Sequence, residues 1–209
     1  MVSERDRILT LINYIESLGL EVNCGKNKAR GNKGFFRVKS EKYRIDISKD
    51  LDSTETLRVL VHEFSHYIHY MNDKTLKSLD FLDKEIDDVL MEELISLTVD
   101  SIPKETIKPL FDMQTALKKT IVELQGHKFD IFKLSELRIK KRMLNSVNNK
   151  ISRINRYYNS VTELFARSME EFILNNETFQ SKAPNLFNVY TNYVNKNSLL
   201  LNFIKNVKI

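Results

Sequence analysis

Residues 53–72 have little freedom in what they can become. Leu57, Leu60, Val61, Phe64, Ile68 and Met71 recur at three- and four-residue intervals, the period of a helix with one apolar face. Ser53 or Thr54 can cap its start, and acids stand in or near the first turn. On a helical wheel His62 and His66 fall roughly opposite the apolar stripe. The helix is therefore expected to bury one side and turn both histidines the other way. Histidines belonging to a core would be mixed into the stripe.

Within this helix stands His62-Glu63-Phe64-Ser65-His66, an H-E-x-x-H sequence. Residues four apart lie one above the other on a helix, so two imidazoles there can take two corners of a tetrahedral Zn²⁺ site. Glu63 lies about 100° around the helix from His62. From there it can reach a water at a remaining corner and act as general base. The sequence thus predicts His62 and His66 as zinc ligands and Glu63 as the catalytic residue, with ordinary surface histidines as the plain alternative. His69 shares the face of His66, one turn on. However, His62 to His69 spans about 10 Å of helix axis, while Zn–N bonds are about 2 Å. No Gly in Tyr67-Ile68-His69-Tyr70-Met71 breaks the helix, so His69 is expected in the surrounding shell, in the cleft wall or on the surface.

The chain has 209 residues and suits one domain, 1–209. Five Gly and three Pro, with 42% apolar residues, favour helices in a globular protein. The pattern reads as a helix over 3–18 closed by Gly19, then a strand at Leu20–Cys24. A basic, Gly-containing turn region over 25–34 follows, then strands at Phe35–Val38 and Tyr43–Ile47. The motif helix over 53–72 comes next, then helices near 80–101, 104–124, 133–157, 160–175 and 186–206. The expected fold class is α+β, mostly helical. An N-terminal helix and a small antiparallel sheet precede the active-site helix within 1–72, and a C-terminal helical bundle fills 73–209. Tyr43–Ile47 is the candidate sheet edge to which an extended peptide could add as a further strand, with an internal strand as the alternative.

No apolar run approaches 18 residues, and the charged start Met1–Arg7 leads into no apolar core. Neither a transmembrane helix nor a signal peptide is expected. Cys24 is the single cysteine, which excludes an internal disulfide and fits a reducing, cytoplasmic setting. The net charge of +5 is unevenly spread: Asp80–Asp100 holds eight acids and one base, Lys133–Arg156 eight bases and one acid. Two solvated or mutually facing helices account for this simply. A nucleic-acid surface is the sharper reading, but aromatic interleaving is missing until Tyr157-Tyr158 and no recognised motif appears. A peptide or protein is the expected partner, nucleic acid the weaker candidate, and no membrane partner is expected.

A catalytic zinc ion usually takes three protein ligands. Two segments offer a carboxylate: Met91-Glu92-Glu93-Leu94, and the run from Tyr157 to Glu171. In the second, Glu163-Leu164-Phe165-Ala166-Arg167 is followed by Met169-Glu170 and preceded by Tyr and Ser. This resembles the distal motif of the zincin-like, gluzincin-type metallopeptidases common in phages and mobile elements. Those proteins pair H-E-x-x-H with a later E-L/M/F-F-A-R-x-F-E helix. The resemblance covers about 15 residues in two places plus the element order, and Met169 stands where the pattern favours Phe. It implies a zincin-like fold, zinc-dependent peptidase activity and Glu163 as third ligand.

The residues alone leave other readings open. Ser160-Val161-Thr162-Glu163 also fits a capping box that needs no metal. Glu92 and Glu93 stand about thirty residues after the motif, where the related anti-repressor type of gluzincin places its carboxylate. Glu170 and Glu171 are further candidates. Arg167 could orient Glu163, bind a substrate carboxylate or make a structural ion pair. Tyr157, Tyr158, His69 and Arg167 are candidate donors to a developing oxyanion. Beside the peptidase stands a zincin-fold binding or regulatory protein, anti-repressor-like or nucleic-acid-associated through 133–156. An intact Glu63 favours the enzyme, because a structural metal site has no need of an acid there.

Overall fold

The computed structural model describes residues 4–26, 33–82, 86–99, 104–125 and 130–208. The fold is mostly helical, with one small three-stranded sheet. It divides into two compact units: Met1–Thr98 with Val161–Ile209, and Val99–Ser160. This differs from a division at residue 72, because the C-terminal helices belong with the N-terminal half.

In the larger unit, α1 (Glu4–Ser17) ends at Gly19, whose φ of 86° is the left-handed conformation that glycine adopts freely. β1 (Leu20–Lys26), β2 (Gly34–Lys39) and β3 (Lys42–Ser48) follow, in the order β1-β3-β2. β2 and β3 form an antiparallel hairpin turned by Ser40 and Glu41, with φ of 48° and 62°, as a two-residue type I′ turn requires. β1 pairs parallel with β3, so the sheet is mixed and not antiparallel as expected. The register sets Leu20 beside Tyr43 and Val22 beside Ile45. This aligns the apolar faces of the two strands, and Leu20, Ile45 and Ile47 are buried in the core. Strand Tyr43–Ile47 is consequently central, with neighbours on both sides. The expectation of an open edge there is corrected, and the outer strands are β1 and β2.

α2 (Ser53–Asn72) covers the span expected. Its cap is Asp52, not Ser53 or Thr54: Asp52 Oδ1 accepts from Glu55 N at 2.7 Å. Of the expected helix over 80–101, the described residues form one 3₁₀ turn (Asp80–Leu82) and α3 (Asp88–Val99), with residues 83–85, 100 and 101 outside them; Asp87 Oδ1 accepts from Leu90 N at the start of α3. After α6 (Val161–Leu174), the expected helix over 186–206 is broken. α7 (Asn176–Lys182) precedes α8 (Pro184–Lys196) and α9 (Ser198–Lys208). Pro184 opens α8, and Asn197 Oδ1 accepts from Leu200 N at the start of α9. α2 packs on β2 and β3 and also on α6. Its apolar side joins the core, where Phe64 stacks on Phe203 at 4.0 Å between ring centroids. Burying one such side chain is worth about 1.5–3 kcal/mol.

The second unit is a helical hairpin of α4 (Lys104–Gln125) and α5 (Ile131–Tyr158). Leu117, Val147 and Ile151 form its small core, and Gln114 Nε2 donates to Asn148 Oδ1 at 2.8 Å. Asp130 caps α5 by accepting from Phe132 N and Lys133 N. Among the described residues no helix is long and apolar enough to cross a membrane.

Candidate metal centre

α2 and α6 bring together three side chains that lie about a hundred positions apart in sequence. His62 and His66 sit one turn apart on α2, and Glu163 stands in the first turn of α6. The Nε2 atoms of the two histidines lie 3.2 Å apart. Glu163 Oε1 is 3.3 Å from His66 Nε2, and Oε2 is 3.6 Å from His62 Nε2. One ligand atom from each residue lies within 4.8 Å of the others, and the group could hold a metal ion. Tetrahedral coordination with bonds near 2.0–2.1 Å puts donors about 3.3 Å apart; the two ring nitrogens are 3.2 Å apart, and each has one Glu163 oxygen at 3.3 or 3.6 Å. Glu163 is only 4% exposed, and its Oε2 meets only long contacts, 3.4 Å to Arg167 Nε and 3.6 Å to His62 Nε2. A buried carboxylate oxygen left this way is suited to a cation.

The far side of each imidazole is also held. His62 Nδ1 lies 3.2 Å from Glu170 Oε2. A carboxylate only accepts, so in the neutral ring Nδ1 carries the proton and Nε2 has the lone pair that a cation would take. Arg58 Nε in turn donates to Glu170 Oε1 at 2.9 Å. His66 Nδ1 lies 3.0 Å from Thr162 Oγ1. The pocket favours positive charge. Burial pulls the His62 pKa down, but hydrogen bonds to Glu163 and Glu170 outweigh it and push the ring up to about 9. Burial likewise raises Glu163, yet its hydrogen bonds to His62 and His66 outweigh this and hold the carboxyl well below the usual range.

Glu63 faces β2. Its Oε2 accepts from the backbone N–H of Phe36 at 2.8 Å, and the residue is 7% exposed. Burial raises its pKa, against the opposing pull of His62 and His66. This proximity depends on Gly34. A Cβ there would stand 2.3 Å from Val59 Cγ1 and 2.8 Å from Glu63 Oε1. β2 can lie against α2 only because that position has no side chain.

The other candidates go elsewhere. His69 is fully buried, with Nε2 donating to Ser78 O at 2.8 Å and its ring packed between Phe81 and Phe165. It is a core residue tying down the loop after α2, not a cleft-wall, surface or oxyanion group. Burial lowers its pKa, which keeps it neutral. Glu93 accepts from Leu186 N at 2.8 Å and from Asn185 Nδ2 at 2.9 Å, so it caps α8. Glu92 is exposed. Glu170 orients His62, and Glu171 contacts Arg58 and Asn175. Arg167 Nε lies 3.4 Å from Glu163 Oε2, one turn along α6. The Ser160 hydroxyl donates to Tyr157 O, not into a capping box. Tyr157 and Tyr158 belong to the hairpin unit. Sequence reasoning does not single out Arg58, Thr162, Gly34 or the Phe36 amide. Only the spacing of Arg58 to His62, four residues, and the place of Thr162 beside Glu163 could have hinted at them. No protein-family profile, curated protein or solved structure matches the chain, and the centre's chemistry stands on its geometry.

Proposed function

We propose that this protein is a zinc-dependent metallopeptidase of the gluzincin type, with a zincin-like fold. His62, His66 and Glu163 would hold the ion, and Glu63 is the general base. One observation carries the reading: the three donors converge within 4.8 Å of one another while Glu63 hangs beside them from the backbone of an outer strand. A structural site would have no use for that acid. When bound, zinc supplies Lewis acidity, polarising a water and a substrate carbonyl.

The chain's own groups do the rest. Phe36 N–H occupies Glu63 Oε2 and leaves Oε1 to take the proton of the attacking water and pass it to the leaving amine. Burial raises the Glu63 carboxyl above its ordinary value, the direction that makes it a better proton acceptor. Glu170 holds the His62 imidazole in the tautomer that ligation needs, and Thr162 orients that of His66. The β2–β3 register turns the backbone groups of Gly34, Phe36 and Val38 away from β3. Because Phe36 N–H is given to Glu63 and Gly34 packs on α2, an extended peptide on that side of β2 would pair through Val38 and lie beside Glu63. The substrate class is therefore a peptide or protein segment in extended form.

The test is Glu63→Gln, made beside the wild type and loaded with zinc. The wild type is expected to bind one zinc per chain and to cleave a panel of unfolded protein substrates. Glu63→Gln should keep the zinc and lose turnover, since an amide cannot accept the proton. A zinc-loaded wild type that cleaves nothing, or a variant that still hydrolyses, overturns the proposal.

A further inference from the structure

The charge of this chain is divided between its two units. Val99–Ser160 holds 13 Lys and Arg against six Asp and Glu, a net of +7; the rest holds 20 against 22, a net of −2. The excess is also ordered. At about 100° per residue, Arg138, Arg142, Arg153 and Arg156 fall within one arc of about 60° on α5. All four are exposed, and the arc lies opposite Val147 and Ile151, which bury α5 against α4. Past Ile131 at the helix start, the other positions on or beside the arc are Ser135, Asn145, Ser146 and Asn149, hydrogen-bonding but uncharged. No acid interrupts it. The one acid between Lys133 and Arg156, Glu136, pairs with Lys140 on another side. Among the described residues none of the four arginines has an ion-pair partner, whereas Arg37, Arg44, Arg58 and Arg167 of the larger unit each have one.

An ordinary solvated helix face mixes charge signs, because like charges a turn apart are destabilising. Here the like charges are collected and left uncompensated. Guanidinium groups bind phosphate in bidentate fashion, and Asn and Ser add contacts to phosphate oxygens. We infer that the outer face of α5 binds the phosphodiester backbone of a double-stranded nucleic acid, without reading its sequence. The four arginines span about 27 Å of helix, and duplex DNA offers one negative charge per about 1.7 Å of its axis. An anionic membrane fits less well. Phe132, Ile139, Met143 and Tyr157 form an exposed row beside the arginines, but Ser146 and Lys150 interrupt it, so no continuous apolar face exists to insert. The inference does not depend on the peptidase reading.

The experiment is fluorescence anisotropy of the full-length protein with labelled 30-base-pair duplexes of DNA and of RNA, titrated across salt concentration. Vesicles containing phosphatidylserine form a parallel arm. Wild type should bind at least one duplex, with log K falling linearly against log salt. Arg138, Arg142, Arg153 and Arg156 all changed to Gln should lower the magnitude of that slope by about 3–4 and weaken binding at least about tenfold. The paired variants R138Q/R142Q and R153Q/R156Q should each remove about half of that slope, which keeps the test open should the fourfold variant misfold. Lys118, Lys119, Lys141 and Lys150 changed to Gln remove the same charge elsewhere and should leave most of the binding. The inference is overturned by absence of binding to both duplexes, by equal loss in the lysine and arginine variants, or by binding to vesicles alone.

Discussion

Gly34→Ala probes the contact that places Glu63. The added methyl would meet Val59 Cγ1 at 2.3 Å and the Glu63 side chain at 2.8 and 2.9 Å. Carbon contacts are comfortable at about 3.5–4.0 Å, so something must move by about 1 Å. Val59 cannot step aside cheaply, because a β-branched side chain in a helix has essentially one χ1 rotamer. Glu63 is pinned by Phe36 N–H, two residues along the same strand. The backbone of Gly34 is not in the left-handed region, so alanine meets no conformational strain there. It even gains about 0.4–1 kcal/mol through the unfolded state. Overpacking costs about 1–3 kcal/mol, which leaves a net destabilisation of about 0–2.6 kcal/mol, centred on about 1.3. The three metal donors lie on α2 and α6, not on β2, so zinc affinity should stay within about threefold. Turnover should fall by at least about tenfold, since displacements of about 1 Å at a reacting group cost up to a hundredfold. Urea denaturation, zinc competition with a chromogenic chelator and peptide hydrolysis measure the three quantities. Val59→Ala in the Gly34→Ala background should recover stability in a double-mutant cycle. A Gly34→Ala protein of wild-type stability and wild-type turnover would refute the close approach of β2 to α2.

Three further outcomes are expected. Glu163→Ala should lose zinc and the zinc-induced rise in melting temperature, measured by metal analysis and thermal melts, whereas a pure capping role predicts about 1 kcal/mol of stability lost with affinity untouched. Glu170→Gln should keep one zinc per chain at saturation but bind it about 10–100-fold more weakly by competition titration; unchanged affinity would show that His62 needs no orienting carboxylate. Asp73 accepts from Thr75 N and Oγ1, Lys77 N and Ser78 N, and these bonds hold its carboxyl well below the usual range. A depressed folded-state pKa gives stability that is present above the unfolded value of about 3.9 and is lost as pH falls through the folded one. Asp73→Asn should therefore melt below wild type at pH 7, with the gap closing in acid; a pH-independent gap would show that the charge is not what the loop uses.

What the sequence makes legible is what short-range periodicity controls. The 53–72 helix, its H-E-x-x-H spacing and the three short strands depend on residues within a turn or two of one another. The pairing of strands does not. Whether β1 joins β2 or β3 depends on which apolar faces meet over the helices, and no local pattern in Leu20–Cys24 encodes it. His69 departs from expectation for a related reason. Its position on the wheel is right, but the loop over 73–79 folds back and gives Nε2 an acceptor at Ser78. The helix starts after Asp87 and Asn197 are marked by single hydrogen-bonding side chains within otherwise helical composition, too small to disturb a periodicity over 20 residues. Glu93 shows the limit most clearly: a carboxylate at plausible spacing for a ligand is spent on the N-terminus of α8.

The face of α6 explains why the position of Glu163 beside His62 and His66 is not legible in the sequence. Glu163, Arg167 and Glu170 make a polar stripe, with Leu164, Phe165, Met169, Phe172 and Ile173 buried on the remaining sides. Such a stripe is the usual mark of a solvent face. Here it meets α2, and the Glu170 carboxylate ties His62 to Arg58 across the two helices. The contact is supported by apolar packing that needs no ion, since Phe165, Met169 and Phe172 share one core with Val61, Phe64 and Ile68. The hairpin unit separates the two ligand-bearing segments along the chain, yet it costs their meeting little. Loop-closure entropy grows only logarithmically, by about 0.6 kcal/mol for each doubling of length. A long insertion can therefore sit between the ligands of one centre, provided the helices on either side carry their own reason to pack. α2 and α6 do, and their packing brings His62, His66 and Glu163 within 4.8 Å of one another.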